Sequence, residues 1–107
     1  MNVESPERPP CTITRVSEAV VKPAKLEEFL ARLHQLVAGF PSTYEGLIDH
    51  EVLIDLDEPM RVQYVSRWRD EDALVGYAGS GWRSTPVTFP DEQQLLARPL
   101  TLRHFAS

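Results

Sequence analysis

The stretch that decides the fold is a junction between a strand and a helix, and it reads Tyr64-Val65-Ser66-Arg67-Trp68-Arg69-Asp70-Glu71-Asp72-Ala73-Leu74. Between positions 62 and 68 successive side chains alternate between two faces, which is the period of a strand. Asp70 is a good helix N-cap, the two acids after it suit the positive end of a helix dipole, and apolar residues then recur at helical spacing. The sequence therefore predicts a strand that ends at Trp68 and a helix that begins at Asp70.

The composition is that of one small globular domain. The chain has 107 residues, of which 42% are hydrophobic and 25% charged, an ordinary balance for a folded protein. The net charge of -5, with no basic cluster, argues against a nucleic-acid partner. The apolar runs are too short to cross a bilayer, no signal peptide is recognisable, and the single Cys11 has no internal partner. We therefore expect a cytoplasmic protein without a membrane partner.

The first 11 residues differ from the rest of the chain. Positions 2–10 hold three prolines among charged and polar side chains, a composition that favours an extended arm. We expect residues 1–11 to form this arm and residues 12–107 to form the single domain.

The clearest helix follows Pro23, which suits a first helical turn. One apolar stripe at spacings of three and four residues is formed by Leu26, Phe29, Leu30, Leu33, Leu36, Val37 and Phe40. Such a stripe is typical of a helix that covers a sheet. Gly39 and Pro41 are expected to end it, and residues 41–46 to form a loop.

The order of the predicted elements indicates the fold. Strands are expected at 12–21, 47–56, 62–68 and 100–105, and the helices at 26–40, 70–78 and, as a short insertion, 90–97. This order is the ferredoxin-like βαββαβ plan of an α+β protein, with an antiparallel sheet covered by helices on one face. The other face is expected to expose Ile13, Ala19, Val21 and Leu53, which a second copy of the chain would bury.

Three segments resemble one known family. They are Val21-Lys22-Pro23-Ala24-Lys25 before the first helix, Asp57-Glu58-Pro59 in the hairpin, and the junction from Ser66 to Leu74. They resemble the antibiotic biosynthesis monooxygenase (ABM) domain family of dimeric α/β barrels, and the resemblance extends over residues 12–105. It implies a homodimer that packs sheet against sheet, with a pocket in each subunit between the sheet and the helices.

Family members that oxidise polyketide anthrones without a cofactor give one comparison of functional positions. Their strand-three tryptophan matches Trp68. Tyr64 stands where they have an asparagine, Leu74 where they have a tyrosine, and Arg83 lies only near the position of their downstream arginine. Of these four functional positions, only the tryptophan is therefore matched by the same residue at the same place in this chain.

The haem-degrading branch of the family gives a second comparison. Tyr77 falls at the position of its aromatic residue. Val87 falls where that branch has a histidine, and the first strand lacks its asparagine. The sequence therefore disfavours haem degradation.

The candidate site residues come from strands and from the irregular segment after the second helix. His50 and His104 lie on apolar strand faces and are candidate general bases, because imidazole titrates near neutrality. Tyr64 is a third candidate catalytic residue, able to donate a hydrogen bond to a carbonyl. Candidates for binding an aromatic substrate are Trp68, Tyr77, Trp82, Arg83 and Phe89. Each of these side chains also has an ordinary packing role as an alternative.

By its resemblance the chain is expected to be a cofactor-independent monooxygenase that acts on a small aromatic substrate, such as a phenol, a quinol or a polyketide-like compound. Neither a nucleotide motif nor metal-ligand spacing is present, so no cofactor and no metal are expected. Two alternatives remain open. One is a non-catalytic dimeric module that binds a small molecule, and the other is a non-oxidative isomerase or cyclase on the same fold.

Overall fold

The computed structural model describes residues 12–106; the predicted arm of residues 1–11 lies outside this range. The strands are β1 (Ile13–Val20), β2 (Leu47–Ile54), β3 (Arg61–Trp68) and β4 (Thr101–Ala106). The helices are α1 (Leu26–Val37), α2 (Phe40–Thr43), α3 (Glu71–Ala78) and a short 3-10 helix, Glu92–Leu95. The strands form one sheet in the order β2-β3-β1-β4, with β1 antiparallel to β3 and β4, and β2 antiparallel to β3. The ferredoxin-like α+β prediction is confirmed.

The strand-to-helix junction forms as the sequence predicts. β3 ends at Trp68, and the Asp70 carboxylate accepts a hydrogen bond from the backbone N–H of Ala73 at 2.9 Å. The helix packs closely on the residue before β2: a Cβ placed on Gly46 would overlap the Cβ of Ala73. Only glycine at position 46 permits this approach.

The prediction for the uncovered sheet face was wrong at three of four positions. Ala19 and Val21 are only 2% and 1% exposed and lie in the core, and Ile13 packs beside Trp68. The register explains this, since Ala19 pairs with Val62 and Ile13 with Trp68, which places the odd residues of β1 on the helix side. Leu53 is 42% exposed, as predicted.

The uncovered face is formed by the even residues of β1 and the odd residues of β3, β4 and, after the register shift at Leu47, β2. It carries apolar side chains among cross-strand polar pairs. The Arg67 guanidinium bonds Asp49 at 2.5 Å, and the Gln63 amide donates to Glu18 at 2.8 Å. The apolar members are Val16, Val20, Leu53, Val65 and Phe105.

The short elements differ from their predicted bounds. The first helix ends at Val37, and residues 40–43 form a separate turn of helix where a loop was expected. The third helix is a four-residue 3-10 turn instead of a helix over 90–97. β2 ends at Ile54 because the Asp55 carboxylate accepts hydrogen bonds from the N–H groups of Asp57 and Glu58, which starts the turn.

Candidate active site

A small cavity lies between the helix-covered face of the sheet and the helices. The space open to the centre of a water molecule is about 20 Å³, which is room for about one water. Its polar lining consists of Arg15, Ser17, Tyr64, Tyr77 and Glu92. Its apolar lining consists of Ala19, Phe29, Leu33, Val62, Val87 and Leu100. Two strands, β1 and β3, therefore contribute to one cavity together with α1, α3 and the segment between α3 and β4.

Arg15 is the central charged group of this cavity. It lies in the middle of β1 and is only 2% exposed. Its guanidinium donates to the carbonyl of Trp82 at 2.6 Å and to that of Thr85 at 2.7 Å, and Nη1 lies 3.1 Å from Nε2 of His104. Within residues 12–106 no carboxylate lies within ion-pair distance of this guanidinium, and burial lowers the pKa of Arg15. A buried cation is thus held by neutral groups alone.

Tyr64 and His50 form a hydrogen-bonded pair on neighbouring strands. The Tyr64 hydroxyl lies 2.7 Å from Nδ1 of His50, and the two rings pack edge to face. Tyr64 is buried and lines the cavity, whereas His50 is half-buried and stands behind it. Burial raises the pKa of Tyr64 well above its usual range, so its hydroxyl stays protonated and can donate.

Tyr77 and Trp68 pack together, but only Tyr77 lines the cavity. Their ring centroids are 4.5 Å apart. Trp68 is 0% exposed, and its indole N–H donates to the Ser66 hydroxyl at 2.9 Å. The Arg15 guanidinium lies over the Tyr77 ring, 5.6 Å from the ring centroid. Burial is the main cause of the raised pKa of the Tyr77 phenol. The tryptophan that carries the family resemblance therefore lies in the core, one layer behind the cavity wall.

His104, Trp82 and Arg83 meet on the other side of Arg15. The imidazole of His104 packs edge to face on the Trp82 ring, with 4.7 Å between centroids, and the Arg83 guanidinium lies over the same indole. These three side chains line a shallow surface depression separate from the inner cavity. Burial, followed by the charges of Arg15 and Arg83, lowers the pKa of His104.

Glu92 lines the cavity from the segment before β4, and Phe89 packs next to it. Phe89 is buried against Phe29, and its backbone N–H donates to Oε1 of Glu92 at 3.1 Å. Glu92 is only 3% exposed. Burial raises the pKa of this carboxyl, while the Phe89 N–H and the Arg32 charge partly oppose that rise.

The structure places two of the predicted site residues, Tyr64 and Tyr77, on the cavity wall. His50 reaches the cavity only through the Tyr64 hydroxyl, and His104 through Arg15. The sequence reasoning missed Arg15 and Glu92. Arg15 gave no clear signal, because Ser17 at the next inward position of β1 is polar as well. Glu92 gave none either, because acids are common at helix starts.

Two further properties concern residues 12–106 alone. No group of three or more His, Cys, Asp or Glu side chains in this range is arranged as a metal-ligand set. No helix of the same range combines the length and the apolar content needed to cross a membrane.

Solved structures share this fold. A conserved protein from Methanosarcina mazei Go1 is 25% identical with a TM-score of 0.73, covering 89% of this chain and 91% of that one. A protein described as a "putative antibiotic biosynthesis monooxygenase", from Caulobacter crescentus CB15, is 18% identical with a TM-score of 0.75, covering 92% and 91%. One of the same description from Nitrosomonas europaea is 15% identical with a TM-score of 0.72, covering 94% and 93%.

A search among curated proteins finds no match. The family model described as Antibiotic biosynthesis monooxygenase matches residues 12–84, which includes β1 to α3 and the whole junction at Trp68. Because this match takes in more than half of the chain, the chain belongs to the antibiotic biosynthesis monooxygenase (ABM) family.

Proposed function

We propose that the protein is a cofactor-independent monooxygenase that acts on a small aromatic substrate, such as a phenol, a quinol or a polyketide-like anthrone. For an anthrone the substrate CH₂ group loses a proton, the resulting enolate reacts with dioxygen at carbon, and loss of water leaves a carbonyl. One oxygen atom stays in the product and the other leaves as water, so the substrate itself supplies all the electrons. The observation that carries the proposal is the buried Arg15 guanidinium beside two protonated tyrosines in one cavity of an ABM fold.

Arg15 is proposed to bind the oxygen that becomes negative when the substrate ionises. Removing a cation from water costs several kcal/mol unless a negative group compensates for it. In residues 12–106 the partners of Arg15 are two carbonyls and an imidazole. An enolate or phenolate oxygen would supply the missing negative charge, and it would be stabilised most where the charge is fully formed.

Tyr64 and Tyr77 are proposed to donate hydrogen bonds to the substrate, because their raised pKa values keep both hydroxyls protonated. His50, with its proton on Nδ1, would donate to the Tyr64 oxygen from behind and leave the Tyr64 O–H free to donate to the substrate. His104 would fix the Arg15 guanidinium by accepting one of its hydrogen bonds at Nε2. In this assignment both histidines act through a neighbour that faces the cavity.

A ring-sized substrate requires the cavity to open. The space of about 20 Å³ is far below the roughly 300 Å³ of common ligand pockets. The segment 79–91 has no regular helix or strand, and Arg15 ties it to the sheet through the carbonyls of Trp82 and Thr85. We propose that an anionic substrate competes for these donors, so that the segment withdraws and Trp82, Arg83 and Phe89 flank the bound ring.

The test is oxygen uptake by the purified protein with a panel of hydroquinones and anthrones. We expect uptake that depends on the protein and persists after treatment with a chelator, together with quinone formation. Trp68→Phe gives an internal control, because it alters the core at a residue that does not line the cavity and keeps an aromatic ring behind Tyr77. Absence of both oxygen uptake and product across the panel would contradict the monooxygenase proposal.

The closed cavity and the fully buried Trp68 favour a second candidate, a non-catalytic module that binds a small apolar molecule. Tight binding of an anthrone without turnover, unchanged in His50→Ala and His104→Ala, would support this candidate. Turnover of the substrate without oxygen would instead indicate an isomerase or cyclase.

We also propose that the protein acts as a homodimer in the cytoplasm. The uncovered sheet face, with Val16, Val20, Leu53, Val65 and Phe105, is the surface that a second copy would cover. Cross-strand polar pairs, Arg67 with Asp49 and Gln63 with Glu18, lie among these apolar residues. Cys11, the single cysteine of the chain, requires no oxidising compartment.

A further inference from the structure

We propose that Glu92 is the general base of the cavity, which removes the substrate proton while Arg15 holds the oxygen that becomes negative. This inference rests on the proposed function and deepens it, because it defines the substrate class. The substrate must carry an acidic C–H or O–H together with the oxygen onto which its charge moves. Glu92 supplies the one carboxylate among the described residues that line the cavity.

The geometry leaves the Glu92 carboxylate available. Its Oε1 accepts the Phe89 N–H at 3.1 Å, and within residues 12–106 its Oε2 has no hydrogen-bond partner. No cation of this range forms an ion pair with it. The nearest arginine of α1, Arg32, is occupied elsewhere, since Nη2 donates to the Pro90 carbonyl at 2.7 Å and the guanidinium lies over the Phe89 ring.

The other titratable groups of the site are less able to accept a proton. His104 presents Nε2 to Arg15, and His50 stands behind the Tyr64 hydroxyl. Tyr64 and Tyr77 face the cavity as protonated phenols. A carboxylate that faces the cavity therefore remains as the direct acceptor.

The surroundings of Glu92 suit a base. Four groups face it or the cavity: Arg15 on β1, Tyr64 on β3, Tyr77 on α3 and Arg32 on α1. Burial raises the pKa of Glu92, which makes the carboxylate a stronger base than an exposed one. Both Arg15 and Glu92 act electrostatically on the Tyr77 phenol. In the proposed step the proton moves to Glu92, the electron pair stays on the substrate, and the resulting oxyanion accepts hydrogen bonds from Arg15.

Glu92 also has a structural role, because its Oε1 caps the Phe89 N–H. Glu92→Gln separates the two roles, since the amide oxygen can keep that hydrogen bond at equal side-chain size while it loses the basic carboxylate. Glu92→Asp keeps a carboxylate and serves if the glutamine variant fails to fold. The matched control is Glu45→Gln, an exposed residue in the turn before β2.

The measurement is the exchange of the C10 protons of anthrone for deuterium, followed by NMR in anaerobic D₂O buffer. The unsubstituted protein is expected to accelerate the exchange, Glu92→Gln to lower the acceleration by about 100-fold or more, and Glu45→Gln to match the unsubstituted protein. Glu92→Asp is expected to retain part of the rate. The rate of the unsubstituted protein should fall as the pH falls through the pKa of Glu92, and Glu92→Gln should lack this limb.

The outcomes separate this inference from the proposed function. Exchange without oxygen uptake would contradict the monooxygenase proposal, and the assignment of Glu92 as the base would stand. Oxygen uptake by Glu92→Gln at the rate of the unsubstituted protein would overturn the assignment of Glu92, and the monooxygenase proposal would stand. The assignment would also be overturned if the unsubstituted protein did not accelerate the exchange. It would likewise be overturned if the exchange rate of Glu92→Gln still fell as the pH falls.

Discussion

Arg15 connects the chemistry of the cavity to the segment that closes it. One guanidinium contacts β4 through His104 and the segment 79–91 through two carbonyls. Each of these partners is neutral, so the side chain keeps a net positive charge inside the protein. A residue of this kind stabilises local structure through its hydrogen bonds and at the same time favours an anion nearby.

Arg15→Met is therefore expected to reduce turnover of an anthrone by about 100-fold or more, a loss typical for removal of an oxyanion donor. Oxygen uptake at saturating substrate is the measurement. Arg98→Met, an exposed arginine in the turn before β4, is the matched control. A turnover number for Arg15→Met within a few-fold of that of the unsubstituted protein would contradict the proposed role of Arg15.

Trp68 is expected to matter for stability more than for turnover. Trp68→Phe removes buried volume and leaves the Ser66 hydroxyl without its indole donor. We expect a loss of roughly 1–3 kcal/mol in the free energy of unfolding, read from chemical denaturation. The turnover number per folded molecule should change by no more than a few-fold. A large drop in turnover with unchanged stability would instead place Trp68 in contact with substrate.

His104 is expected to make the fold sensitive to acid. Its folded-state pKa is lowered from the ordinary 6.5, so the unfolded chain binds the proton more readily, and stability falls as the pH drops below about 6.5. His104→Gln keeps an acceptor for Arg15 and cannot take up the proton. Between about pH 8 and pH 5, its thermal unfolding midpoint should fall less than that of the unsubstituted protein. Identical pH profiles would show that His104 makes no contribution.

At the scale of elements, the junction between β3 and α3 brings Tyr77 to the cavity. The Asp70 cap fixes where the helix begins, and the close contact of Gly46 with Ala73 fixes how near the helix lies to the sheet. Tyr77, seven residues after the cap, then packs on Trp68 and reaches Arg15. A local capping signal thus positions a residue of the site.

Asp70→Ala is expected to destabilise the protein by about 0.5–2 kcal/mol, because the Ala73 N–H loses its acceptor. Asp72→Ala in the same first turn is the control, since Asp72 is exposed and caps no N–H group in the structure. Denaturation midpoints measure both. Equal effects of the two substitutions would indicate that the helix dipole, and not the cap, is responsible.

At the scale of the whole molecule, the uncovered face of the sheet is the surface that we propose a second copy covers. Its apolar residues lie on β1, β2, β3 and β4 alike, among cross-strand ion pairs such as Arg67 with Asp49. A small domain buries a limited share of its surface alone, which supports the proposal that a second copy covers this face.

Val65→Asp, near the middle of that face, is therefore expected to convert the proposed dimer into a monomer, because a charge from each copy would be buried in the interface. Light scattering after size exclusion gives the mass. Gln35→Asp on the exposed side of α1 is the control and should leave the mass unchanged. A Val65→Asp protein with the mass of a dimer would show that another surface joins the copies.

Much of the architecture could be predicted because it depends on local periodicity. The stripe of α1, the alternation in β3 and the Asp70 cap each act within a few residues, and each appears in the structure. The short helix at Phe40–Thr43 was missed, and the predicted helix over 90–97 is a 3-10 turn at Glu92–Leu95, because four residues give too little period to read. The inward face of β1 was predicted wrongly for a different reason, because this strand carries polar residues on both sides.

The sequence alone determined the order of elements, the family resemblance and the alternation that puts Tyr64 and Trp68 on one side of the sheet. The tertiary structure alone decided which of these residues reach the cavity. Arg15, Tyr77 and Glu92 are far apart in the chain, and they meet because the register of β1 with β3 and the packing of α3 and the final 3-10 turn bring them together. Such contacts depend on register and packing across the whole domain, which no local pattern encodes.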